Sequence, residues 1–465
     1  MNSPNTQAAA THTFGYRRRR GLNWVFLGLL YAGYYLCRYN LSVVSPEFTK
    51  EFGFNKQEYG AINSGREIGY AIGNFFNGLF TDGLGGKQAM AIGAIGTILL
   101  NLVFAGVSLM KWSAVNAFTL SGGAVSLLLV AFVVTRTVDG YLQSFGAPGM
   151  VKINTSWFQR RERGKFAGIF GGMIQLGQVG VNRLGGALIT GIAIGGVMLV
   201  PPQNWRSIFV VMPALLAVIL ALAWIVVRNH PEQAGYSIAH DDDAHAANPE
   251  QKLPLGQVFS TIASNPLSWL NAGAYMCTGF VRKAMDNFWV LYLFEVWHIG
   301  KESVAYDRMA TWLPIVAVIG SFTTGLISDT IARGRRSPVA AGLYTVETLV
   351  LLITLLVLKQ AHLANALTAC GLLLAISLTV NSSHSIVGTA VTMDIGGRKM
   401  AGFALGLVNS FQYLGGFLAG FGLGGLIDAY GWDALFWAMI PFSALGSLLM
   451  TGVWLTTRGR DVKGA

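Results

Sequence analysis

The chain has 465 residues, of which 53% are hydrophobic and only 12% charged, and its mean hydropathy is +0.49. Soluble domains carry about 25% charged residues, so lipid is the expected main solvent. The formal charge of +11 is spread over segments between apolar runs, which excludes a nucleic-acid face. Cys37, Cys277 and Cys370 all fall inside apolar runs and offer neither a disulfide framework nor metal-ligand spacing.

Hydropathy predicts twelve membrane helices, near 22–44, 60–81, 88–108, 122–151, 166–196, 207–227, 267–295, 309–328, 338–357, 364–393, 401–425 and 434–456. The first has no small-residue cleavage site after it and is expected to stay as a membrane helix. Of the 33 Lys and Arg, 20 fall in segments on the side of the N-terminus and 7 in the opposite loops. By the positive-inside rule both termini are then cytoplasmic, with the tetrad Arg17–Arg20 as the strongest signal. The organisation expected is a basic tail (1–21), a six-helix bundle (22–227), a cytoplasmic central loop (228–266) holding the acidic run Asp241–Asp243, a second bundle (267–456) and a short tail (457–465).

The two halves repeat local features in the same order. Gly78-Leu-Phe-Thr-Asp82-Gly-Leu-Gly-Gly-Lys87 follows the second span, and Gly325-Leu-Ile-Ser-Asp329-Thr-Ile-Ala-Arg333-Gly-Arg335 follows the eighth. Gln175-Leu176-Gly177 is echoed by Tyr413-Leu414-Gly415, and Trp205-Arg-Ser-Ile-Phe209 by Trp432-Asp-Ala-Leu-Phe436. Arg38 and Arg282 sit at matching depths, each about 16 residues into its span, which is roughly 24 Å along a helix. A cation in hydrocarbon costs about 3 kcal/mol even on lenient scales, so such residues are expected to face a watery cavity and an anion. The prediction is an all-α membrane protein with twelve transmembrane helices in two pseudo-symmetric six-helix bundles, and a small-anion site between them.

These features resemble a known family. The Asp-x-x-Gly-Gly-Lys loop at Asp82–Lys87 and its partner at Asp329 are similar to the signature of the major facilitator superfamily. Within it, Tyr31-Ala-Gly-Tyr34-Tyr35-Leu-Cys-Arg38-Tyr-Asn40 resembles the first helix of the organophosphate:phosphate antiporters. Ile68-Gly-Tyr70, the seventh span with Arg282, Phe411-Gln-Tyr413-Leu-Gly-Gly416 and Trp157-Phe-Gln-Arg-Arg-Glu162-Arg163-Gly164 extend the match over most of residues 20–456. The resemblance implies phosphate binding at Arg38 and Arg282, a monomer, and a bacterial inner membrane. The chain departs from the family at Gly146-Ala147-Pro148-Gly149, at Asn74 and Ile174 where glycerol phosphate carriers place Lys and His, and at Arg66-Glu67.

Arg38 and Arg282 are the expected anion ligands, because a guanidinium stays charged and its planar donor fork matches phosphate oxygens. Asp286, one turn after Arg282, is an alternative partner. Around them are placed Tyr31, Tyr35, Tyr70, Asn74, Gln175, Lys283, His384 and Tyr413. Tyr31, Tyr35 and Arg38 share one helix face; each tyrosine is equally compatible with packing, and Lys283 with snorkelling. His384 fits either titration with substrate or a bond to a neighbouring carbonyl. Asp82 with Lys87, and Asp329 with Arg333, are the expected gate. Glu67 and Asp139 are candidates for proton coupling, with Asp139 three residues from Arg136. Arg66, Arg183 and Glu347 have no assigned role.

The expected function is alternating-access transport of a small organic anion, such as glycerol 3-phosphate or a sugar phosphate, in exchange for inorganic phosphate. A proton-coupled carrier of a sugar acid and a membrane sensor of a phosphorylated sugar are the rivals. No nucleophile–base pair, metal spacing or phosphate-cradling loop is present, so neither an enzyme nor a cofactor is expected, and lipid is the only other partner.

Overall fold

In a computed structural model, residues 14–110, 117–120, 123–158, 160–194, 197–202, 204–236, 264–332, 335–391 and 406–458 are described. Twelve helical spans run in chain order: α1 (Phe14–Arg38, continued by Asn40–Val43 and Ser45–Phe52), α2 (Lys56–Leu84), α3 (Gly86–Leu109), α4 (Leu127–Gln143 and Gly146–Trp157), α5 (Arg160–Thr190) and α6 (Trp205–Val226); then α7 (Pro266–Trp297), α8 (Val304–Leu326), α9 (Arg336–Leu358), α10 (Ala366–Ser385), α11 (Gly406–Tyr430) and α12 (Asp433–Thr457). Seven of them, α3, α6 and α8 to α12, are apolar and long enough on their own to cross a bilayer. The other five carry the cost: they hold Arg38, Arg66 with Glu67, Arg136 with Asp139, Arg183, and Arg282 with Lys283.

Several boundaries differ from the hydropathy reading. α1 begins at Phe14, so the arginine tetrad is helical rather than a tail. Tyr16 donates to the Trp157 carbonyl (2.9 Å), and Arg19 to that of Val226 (2.6 Å), docking this turn on α4 and α6. α4 starts at Leu127 and α5 ends at Thr190, because short antiparallel hairpins, Ala117–Leu120 with Gly123–Ser126 and Ile192–Ile194 with Val197–Val200, adjoin them. Most of the central segment 228–266, including Asp241–Asp243, lies outside the described residues.

The same helix pairs pack in both halves: α2 on α4 and α8 on α10, α1 on α6 and α7 on α12, α3 on α6 and α9 on α12. Between the halves, α2 packs on α11 and α5 on α8, again an equivalent pair. The duplication reaches atomic detail. A Cβ at Gly177 would lie 2.3 Å from the Ala32 carbonyl, and one at Gly415 would lie 2.0 Å from that of Met276. These glycines and their partners are equivalent under the sequence repeat, so the same small-residue contact sets α5 against α1 and α11 against α7.

The halves are sealed at the end away from the termini, here termed distal. There Lys301 pairs with Glu47, Lys56 with Glu295 (3.0 Å), and Arg183 with Asp307 (3.7 Å). Asn55 and Glu58 form a capping box at the start of α2, and Asp428 of α11 accepts from the Lys56 and Gln57 amides (3.1 and 2.8 Å). Among the described residues, the one other ion pair between halves is Glu67–Lys283 at mid-membrane (3.4 Å).

Gly177→Val or Gly415→Val is expected to destabilise the protein by about 1–3 kcal/mol through overpacking. Thermal unfolding of purified protein should show the loss, while Gly422→Ala, where a Cβ meets nothing within 4 Å, should leave the midpoint unchanged.

Candidate functional site

The site is built around a break in α1. At Tyr39 the backbone leaves helical geometry (φ −102°, ψ 4°), and the Arg38 carbonyl is left for partners from other helices. Two guanidiniums take it. Arg136 of α4 donates to it at 3.0 Å, and Arg66 of α2 donates to it by a shorter bond. This gives Arg66 and Arg136 the role that sequence reading left blank: they fix the turn that presents Arg38.

The Arg38 side chain is buried (2% exposed) and lies between the rings of Tyr35 and Tyr70, with centroid distances of 4.5 and 4.6 Å. Its Nε donates to Gln143 Oε1 (2.9 Å), and Gln143 in turn donates to Asp139 (3.0 Å), which pairs with Arg136 (3.3 Å). Among the described residues Arg38 Nη2 has no acceptor. Tyr70 stacks on Tyr413 of the other half at 4.2 Å, and Tyr31 leans edge-on against Tyr35 (5.6 Å). The tyrosines expected around the anion site thus form one aromatic wall beside Arg38. Tyr35 is an electrostatic neighbour of both Arg38 and Arg282.

Arg282, on α7, is half-buried and donates from Nη1 to His384 Nε2 (3.1 Å). A guanidinium can only donate, so this ring nitrogen carries no proton. The other ring nitrogen, Nδ1, lies 2.9 Å from the Tyr275 hydroxyl and 3.3 Å from Gln412 Nε2, and the ring stacks on Tyr275. His384 therefore positions Arg282, and the expected bond to a carbonyl is replaced by one to a guanidinium. Asp286 does not capture Arg282: its Oδ2 accepts from Tyr39 (2.8 Å), and Lys283 lies 4.0 Å away. Among the described residues neither Arg38 nor Arg282 forms an ion pair.

Arg282 lines a narrow cleft between the halves, together with Gln175, Gln178, Asn182, Trp289 and Asn381 among others. The expected Gln175 is there, and its Oε1 is buried without a partner. The rest of this lining was missed, although Gln175, Gln178 and Asn182 recur at intervals of three and four on one face of an apolar helix. Asn74 is half-buried on α2, its carbonyl about level with the start of α11 at Gly406 (4.0 Å from a Cβ built there).

Lys283 is buried rather than snorkelling and meets Glu67 of the other half (3.4 Å). Glu67 also pairs with Arg66, and Asp139 with Arg136, so both proton-coupling candidates are held by cations. Glu347 is wholly buried on α9 near Ser383 and Ser443, and Arg183 serves the distal seal. Of the expected gate, Lys87 donates to the Trp224 carbonyl (2.6 Å) within its own half, so its contact here is with α6 and not across the halves. Arg333 and the side chains of Asp82 and Asp329 lie outside the described residues.

Residues 27–420 and 272–464 match the Major Facilitator Superfamily. A probable hexose phosphate transport protein of Chlamydia pneumoniae is 25% identical, over 97% of this chain and 94% of its own. The glycerol-3-phosphate transporter of Bacillus subtilis strain 168 is 27% identical, over 93% and 92%. A bacterial homologue of the human lysosomal transporter Spinster, solved inward-facing and unoccupied, has the same fold, with a TM-score of 0.65, 16% identity and 94% of each chain covered. Two equivalent six-helix bundles meeting around buried arginines, together with the match along nearly the whole sequence, place this integral membrane protein in the Major Facilitator Superfamily.

Proposed function

We propose that the chain is a secondary transporter of a phosphorylated metabolite, such as glycerol 3-phosphate or a sugar phosphate, and exchanges it for inorganic phosphate. The observation that carries this reading is a pair of guanidiniums, one per half, each held by neutral partners and neither paired with a carboxylate. Gln143 and His384 orient the donors without cancelling their charge, which leaves them for an incoming anion. The Chlamydia relative's name as a probable hexose phosphate transport protein and the Bacillus relative's as a glycerol-3-phosphate transporter support a phosphate ester over a carboxylate. A proton-coupled sugar-acid carrier is less favoured, because Glu67 and Asp139 are both bound by cations.

By the positive-inside rule the termini lie in the cytoplasm, so the sealed distal face is the outer one. The protein works as a monomer in a bacterial inner membrane. An anion binds Arg38 and Arg282 and relieves the repulsion between the two like charges. That differential affinity biases the rocking of the halves. Asp82, Lys87, Asp329 and Arg333 latch the cytoplasmic side in the opposite conformation.

Purified protein in liposomes should exchange labelled phosphate against phosphate esters. Arg38→Lys and Arg282→Lys keep the charge but lose the fork, and each is expected to lower exchange at least about tenfold; full exchange by both variants would end the assignment. Gln143→Leu removes the acceptor that aims Arg38, and a charged hydrogen bond is worth about 1.5–3 kcal/mol. Its phosphate affinity, measured by calorimetry, should fall about tenfold or more. Replacing Glu47 and Glu295 together by Gln removes two distal ion pairs. In a background with the three cysteines changed to Ser, labelling of Ala310→Cys, buried against Asn182 at that end, should quicken about threefold or more.

A further inference from the structure

The charges around the site do not balance. Among the described residues at mid-membrane, Arg38, Arg66, Arg136, Arg282 and Lys283 face Glu67, Asp139 and Asp286. Asp139 is committed to Arg136 and Gln143 within one half, and Asp286 accepts from Tyr39. Glu67 is different. It comes from α2 of the first half, yet its Oε1 lies 3.4 Å from Lys283 Nζ on α7 of the second, 97% or more of each side chain being buried. A Cβ at Gly416 of α11 would lie 3.2 Å from Glu67 and 2.9 Å from Lys283, so the pair is enclosed by a third helix at the domain seam.

One oxygen of this carboxylate is idle. Among the described residues Glu67 Oε2 is buried without a partner, and so is Arg38 Nη2, a donor at the anion site. Arg66 bridges the two residues, donating from Nε to Glu67 Oε1 (3.1 Å) and from Nη1 to the Arg38 carbonyl. An unmatched buried acceptor and an unmatched buried donor of opposite charge thus sit on neighbouring helices joined through Arg66, and each is expensive to leave unpaired.

We propose that Glu67 is a resident counter-anion, which takes the place of substrate when the chamber is empty and so lets the unloaded protein change conformation. The inference rests on the reading of the site as an anion carrier and adds an activity to it: net, one-way flux alongside exchange. In an anion carrier whose chamber holds only excess cations, closing the empty halves concentrates like charge, and exchange becomes obligatory. Here Glu67 already joins the halves through Lys283 and has an oxygen to offer Arg38 as they close. Arriving substrate competes for Arg38 and releases that oxygen. No bond is made or broken, and no proton needs to move.

The test uses full-length protein in liposomes loaded with labelled inorganic phosphate, with the membrane potential clamped. Efflux is followed into medium containing unlabelled phosphate, which reads exchange, and into phosphate-free medium, which reads net flux. The ratio of net flux to exchange in the unaltered protein should lie within about tenfold of unity. Glu67→Gln should lower that ratio at least about tenfold, and Glu67→Asp, which keeps the charge on a shorter arm, should fall between. Since both rates are read from the same vesicles, exchange reports whether each variant is folded. Exchange without net flux in the unaltered protein overturns the inference while leaving the carrier reading intact, and so does a ratio that Glu67→Gln does not change. Failure of exchange in the unaltered protein overturns the carrier reading and the inference together.

Discussion

A guanidinium held away from water must be answered by something, and in this chain the answer given to Arg38 shapes everything near it. Its Nε is answered by an amide and its plane by two tyrosine rings, while one terminal nitrogen is left open. None of these partners is an anion, so the group stays strongly electropositive. The backbone is treated in the opposite way. The carbonyl exposed by the break in α1 collects two further guanidiniums, and these in turn require Glu67 and Asp139 nearby. One turn of one helix thus recruits charges from α2 and α4 and, through Glu67, from α7 of the other half.

Division of labour among the arginines follows. Arg66 and Arg136 are structural in the sense that each donates to a main-chain oxygen and to a carboxylate. Arg38 and Arg282 are held by neutral acceptors and keep their field. The distinction rests on partner chemistry rather than depth, since Arg38, Arg66 and Arg136 are equally buried. Mutational loss at any of the four could look alike in a transport assay, whereas their effects on folding would differ, because Arg66 and Arg136 hold the break in α1 and leave a buried carboxylate behind when removed, while Arg38 and Arg282 are bonded to neutral side chains.

Much of this was legible in the sequence, for physical reasons. Twelve apolar runs, the charge bias and the matched arginines each reflect the cost of placing polar groups in lipid, and that cost is written residue by residue. The repeat was legible for the same reason: Gly177 and Gly415 have to be small wherever one backbone touches another, and they kept their place in the pattern. What could not be read is which charge meets which. Arg66 and Glu67 are neighbours in sequence, and the guanidinium folds back to the carboxylate while reaching the Arg38 carbonyl of another helix. Glu67 meets Lys283 only because α2 and α11 cross closely enough for Gly416 to lie against both. The distal ion pairs were missed because Glu47, Glu295 and Lys301 sit singly at helix ends, where a charge signals only nearness to water.

The cap that α11 lends to α2 has a consequence for how the outer face can part. Asp428 satisfies the first amides of a helix that belongs to the opposite bundle. Separation leaves those amides and that carboxylate to hydration, so the seam there comes undone as wetted polar ends instead of torn apolar surface. A closure made in this manner resists leakage while shut, yet it exposes little that lipid or a neighbouring molecule could stick to once agape.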